Sequence, residues 1–74
     1  MPLSREEMES RMTYHAPSPD GIARHLDLSN ELTGALVAIE RSCPDGREKS
    51  VAITKIEEAK FWASAAVARN PETR

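Results

Sequence analysis

The stretch Cys43-Pro44-Asp45-Gly46-Arg47-Glu48-Lys49-Ser50, followed by Ala52-Ile53-Thr54-Lys55 and Phe61-Trp62-Ala63-Ser64-Ala65-Ala66, reads as a helix stop, a turn and a second helix. Pro44 restricts Cys43 and cannot continue the hydrogen-bond ladder of a preceding helix. Asp45 is placed to cap the next element, with Glu48 at capping-box spacing and Gly46 costing little in the first turn. The helix expected from there, over 46–69, has an apolar seam of Ala52, Ile56, Ala59, Ala63 and Ala66, small enough for a neighbouring helix to approach closely. Asn70-Pro71 supplies its stop, and 70–74 reads as a tail.

Upstream of the turn, Ser18 stands as an N-cap with Pro19 at the first helical position, where the N–H that proline lacks would be unpaired anyway. Ile22, Leu26, Ser29, Leu32, Leu36, Ile39 and Cys43 recur at alternating spacings of three and four, which predicts a helix over 19–42 with a continuous seam. Two long helices joined by a tight turn run antiparallel. Nearer the start, Ser4 as N-cap, Glu7 three residues on, and Leu3 with Met8 as a hydrophobic staple predict a short helix over 5–12. Met8 and Met12 are its only apolar residues, so it cannot stand alone and must lie on another surface. Between them, 13–18 is an ordered loop fixed by Pro17 and Pro19. The fold expected is all-α: a single domain over 1–74 made of a short N-terminal helix and a hairpin of two long antiparallel helices.

Composition says how such a hairpin must be supported. A chain of 74 residues buries only about 60% of its unfolded surface, which leaves a marginal core. One cysteine excludes an internal disulfide, and no Cys/His cluster has zinc spacing, since His15 and His25 stand far from Cys43. Self-association is therefore the expected support. The formal net charge of -2 gives no bulk attraction to DNA or RNA, though local basic clusters could hold a small phosphorylated ligand. Met1-Pro2-Leu3-Ser4-Arg5-Glu6-Glu7 lacks an apolar leader segment, and no membrane-spanning run occurs, so a cytosolic protein is expected.

Catalysis finds little to work with. Cys43 lies on the apolar seam as a small hydrophobe, and Glu57 and Glu58 point about 100° apart on a helix, so they cannot flank one bond as acid and base. His15 and His25 have no positioned nucleophile or metal beside them. Anion binding is better supported. Arg47 and Lys49 lie in the first turn of a helix, where the macrodipole disfavours cations; a phosphate partner, an acidic neighbour such as Glu48 or simple solvation would account for them. Tyr14, held near prolines, offers a face for stacking a base or for packing over the helix pair. Ser29 interrupts the seam between Leu26 and Leu32, so it faces a neighbouring subunit or lines a small polar cavity.

Thr13-Tyr14-His15 followed by Pro17, a long helix, Cys43 to Ser50, Thr54-Lys55, Glu57-Glu58-Ala59 and Trp62 to Asn70 resemble the hairpin domain of phage nucleotide-sponge proteins. These proteins inhibit the bacterial CBASS and Thoeris defences. The resemblance implies a homo-oligomer, a compact hexamer, that sequesters cyclic oligonucleotide or cyclic ADP-ribose-type messengers in the cytoplasm of an infected bacterial host. It implies no enzyme activity, cofactor or metal, and neither a DNA or RNA polymer nor a membrane as partner. By the same resemblance Tyr14 stacks on a base of a cyclic dinucleotide, Arg69 contributes to a separate cyclic trinucleotide pocket, and Arg47 and Lys49 form a basic turn. The first long helix departs from the pattern: relatives carry more basic residues there, whereas this chain offers Arg24 and then His25, Leu26, Asp27, Leu28 and Ser29, Ser29 standing where relatives carry a basic ligand contact; Ala16 replaces a usual proline. Two other readings stay open, an oligomeric protein-interaction module without nucleotide ligand and a phosphodiesterase acting on the same messengers.

Overall fold

A computed structural model describes residues 2–74, which form three helices, α1 (Arg5–Met12), α2 (Pro19–Ser42) and α3 (Arg47–Arg69). Local chemistry explains where each begins. Ser4 is extended and its Oγ accepts from the Glu7 backbone N–H at 3.0 Å. The Glu7 carboxylate pairs forward with Arg11 at 3.0 Å, so only the serine half of the α1 capping box is made. Ser18 caps α2 by accepting from Gly21 N–H at 3.1 Å, with Pro19 opening the helix. Cys43 then turns extended, and its N–H closes the last bond of α2 to Ile39.

The start of α3 corrects the sequence reading. Gly46, and not Asp45, occupies the cap position, with φ 158° and ψ −175° and no side-chain cap bond. That extended backbone with φ on the positive side suits a residue without Cβ. Asp45 is drawn elsewhere, to Lys49 one turn on.

Packing of α2 against α3 is the main helix–helix contact. On α2 the seam is half-covered from Ser29 through Leu32, Leu36, Ile39 and Cys43, but Ile22 and Leu26 are exposed. At that end the covered positions are Gly21, His25 and Leu28, one residue round from the expected stripe. Helical drift explains the shift: a straight helix rotates about 20° per heptad against a strict three-four repeat. On α3, Ala52, Ile56 and Ala63 are half-covered as expected, whereas Ala59 and Ala66 are exposed and Ile53, Ser64 and Val67 take their places.

The molecule is an open layer. Among the described residues no hydrophobic side chain is buried. The radius of gyration is 15.5 Å, against about 11 Å for a compact chain of this length. Its shortest dimension is 15 Å, little more than one helix with its side chains. The accessible surface is 5955 Å², whereas a compact monomer of 8.2 kDa exposes about 4,500 Å², so roughly 1,400 Å² lies uncovered in excess. Phe61 and Trp62 are 68% and 69% exposed and belong to that surplus.

Candidate functional site

The basic residues divide between the two ends of the hairpin. At the turn end, Lys49 is the most enclosed charged side chain, 8% exposed. Its Nζ donates to Asp45 Oδ1 at 3.0 Å and to the Glu40 backbone oxygen at 3.2 Å, and ion-pairs with the Glu40 carboxylate at 3.2 Å. The hydrogen bond to Asp45 is the main reason its pKa is raised; the Glu40 bond and both carboxylate charges act the same way, against a desolvation that lowers it. The acidic partners that explain this cation are therefore Asp45 and Glu40, and not Glu48. Lys49 ties the end of α2 to the start of α3, and Arg47, the first residue of α3, stays exposed beside it.

At the open end, Tyr14 sits on the loop between α1 and α2 and is 83% exposed. The residues flanking it are both tied down: Thr13 Oγ1 donates to Glu9 O at 2.6 Å, and the His15 ring reaches Ser10 O at 2.9 Å. Arg24 lies on the exposed side of α2 and pairs with Asp20 at 2.9 Å, a surface ion pair easily exchanged for another anion. Arg69, the last residue of α3, lines a polar cleft of about 480 Å³ with Ser4, Glu6, Glu7, Ser10 and Arg11 of the α1 segment. Ser29 lies midway, in a small cleft of about 160 Å³ shared with Leu32, Ile56 and Lys60.

These groups do not meet in one chain. Arg47 and Arg69 are separated by the whole of α3, about 33 Å at the helical rise. Tyr14, Arg24 and Arg69 share one end, Arg47 and Lys49 the other.

Two residues at the open end escaped the sequence reading. Arg74, assigned to a tail, folds back through a turn in which Asn70 Oδ1 accepts from Glu72 N–H at 2.9 Å, and its guanidinium donates to His15 Nδ1 at 3.0 Å. Gly21 is the other, a glycine in the first turn of α2 whose missing Cβ leaves room for the Arg74 backbone. Among the described residues, no group of three His, Cys, Asp or Glu side chains could hold a metal, and no helix is long and apolar enough to cross a membrane.

The architecture is that of an all-α helical-hairpin domain. The Acb2/Tad1 hairpin-domain family matches residues 5–68, and the chain belongs to it, the phage nucleotide-sponge family. Members of this family are sponge proteins and not enzymes. No curated protein and no solved structure matches the chain significantly.

Proposed function

We propose that this chain sequesters cyclic oligonucleotide or cyclic ADP-ribose-type second messengers without degrading them, and so blocks CBASS or Thoeris signalling in the cytoplasm of an infected bacterium. The observation that carries the reading is the exposed, flanked ring of Tyr14 at the open end of a hairpin of this family. A flat aromatic face held at the surface is what base stacking uses. Arg24 and Arg69 stand at the same end as phosphate partners, Arg69 in the polar cleft read as the second, trinucleotide pocket.

The pocket is composite in this reading. Because about 33 Å separates the two basic ends, Arg47 of one chain reaches a ligand on Tyr14 only from a neighbour, and the uncovered apolar surface supports assembly into a homo-oligomer, a hexamer by family resemblance. Lys49 serves the site by fixing the turn that presents Arg47. Ser29, across its cleft from Lys60, offers a hydroxyl where relatives offer charge.

The deciding experiment is recovery. Cyclic di-AMP or a cyclic ADP-ribose isomer is incubated with the protein, the free compound is measured, and the protein is then heat-denatured. Depletion followed by return of the intact compound on chromatography is expected. Linear product would establish a phosphodiesterase, and no depletion with an intact oligomer would favour an interaction module.

A further inference from the structure

The turn over residues 70–74 links the end of α3 to the loop that carries Tyr14. Thr73 Oγ1 donates to Val67 O at 2.9 Å, satisfying a carbonyl in the last turn of α3. Arg74 N–H closes the turn on Asn70 O at 3.0 Å. The Arg74 backbone oxygen accepts from Ser18 Oγ, the same hydroxyl that caps α2 through Gly21 N–H. Gly21 is what allows this approach: a Cβ there would collide with the Arg74 carbonyl carbon and stand 3.0 Å from its oxygen and 3.2 Å from its Cα.

The Arg74 guanidinium then completes the chain of contacts. A guanidinium only donates, so its bond to His15 Nδ1 requires a lone pair on that nitrogen. The proton of a neutral ring must then sit on Nε2, where it donates to Ser10 O, a carbonyl in the last turn of α1 with no partner within the helix. Two partners on different elements thus select one tautomer. His15 is next to Tyr14, and Thr13 on the other side is anchored to α1 through Glu9 O. Three helix ends converge on the loop, while the Tyr14 ring itself stays free.

We infer that Arg74 and His15 are positioning residues for the Tyr14 platform: the 70–74 turn straps the loop between α1 and α2, so the ring is held for stacking before a ligand arrives. This rests on Tyr14 being the stacking residue of the proposed function. Holding a binding element in place beforehand raises affinity by reducing the ordering that binding must impose.

The test uses the full chain and cyclic di-AMP as probe. Nitrogen-15 spectra of the histidines should show His15 as the Nε2–H form with Nδ1 accepting. In Arg74→Ala that signature should be lost, amide exchange at Tyr14 and His15 should accelerate, and cyclic di-AMP should bind about two- to tenfold more weakly. His15→Gln, which keeps an acceptor and a donor, should recover part of the affinity that His15→Ala loses. Unchanged exchange at Tyr14 and His15 in Arg74→Ala, with the hairpin still folded, overturns the strap. If the unaltered chain fails to bind any cyclic nucleotide, the sponge reading falls instead, and the tautomer and exchange data still decide whether the strap orders the loop.

Discussion

Lys49 Nζ lies 3.0 Å from Asp45 Oδ1, one helical turn away, and the pair closes the α2–α3 turn from inside. The ammonium ties the turn to the end of α2, but because it only donates, the first N–H groups of α3 stay without a side-chain cap. Lys49→Met should lower the melting temperature of the protein, whereas Arg47→Ala, at an exposed position, should leave it nearly unchanged. The sign of the pH dependence follows from the raised pKa of Lys49, due first to the Asp45 hydrogen bond. A folded-state value above the ordinary 10.5 means that the contribution is fully present below that pH and is lost as pH rises through the folded pKa. Melting temperatures recorded across the alkaline range should therefore fall in the unaltered chain above its ordinary lysine range, and this component should be missing in Lys49→Met.

Assembly is the second expectation. With no hydrophobic side chain buried among the described residues and roughly 1,400 Å² of surplus surface, one hairpin is an incomplete core. Light scattering at micromolar concentration should give a mass several times 8.2 kDa. A stable monomer would exclude any pocket shared between chains.

Ala63 and Ala59 separate the hairpin contact from the outer faces. Ala63 is half-covered and Ala59 exposed, although the sequence places both on one seam. Ala63→Leu should overpack the contact with α2 at a typical cost of about 1–3 kcal/mol. Ala59→Leu should change hairpin stability by about 0.5 kcal/mol or less, as an exposed substitution does. Chemical denaturation of the two variants checks the order; equal effects would mean that the contact face is misassigned.

Tyr14 and Arg69 should be separable by ligand. Tyr14→Ala should weaken binding of a cyclic dinucleotide by about 1–3 kcal/mol, or roughly five- to two-hundredfold, if the ring stacks on a base. Arg69→Ala should leave that affinity intact and weaken a cyclic trinucleotide. Titration calorimetry on both variants, with oligomer mass as control, distinguishes the two pockets. Normal dinucleotide binding by an intact Tyr14→Ala oligomer would leave the loop a purely structural role.

Backbone punctuation made the helices readable. Ser4, Ser18 with Pro19, Cys43-Pro44 and Asn70-Pro71 act through contacts a few residues long, and the helices start and stop beside them. The three-four repeat on α2 is equally local and marks its helix and seam, while the tight turn at Cys43-Pro44 makes the next helix antiparallel. What it could not specify is where the seam rotates, since drift accumulates over the whole helix and depends on the partner; that is why Ile22 and Leu26 are exposed while Gly21 and His25 are covered.

Charge was legible as composition but not as pairing. From sequence Lys49 and Arg47 are two cations in one first turn, yet folding sends one inward to Asp45 and Glu40 and leaves the other at the surface. Glu40 is nine residues from Lys49, and only the chain reversal brings it near. The strap is more distant still: His15 and Arg74 stand 59 residues apart, and no spacing rule connects them. Caps, stops and periodicity were fixed by neighbours in the chain, because their hydrogen bonds span a turn or less. The rotation of the seam, the inward lysine and the His15–Arg74 contact were decided by tertiary structure, because each depends on groups that meet only after α2 and α3 have folded back on one another.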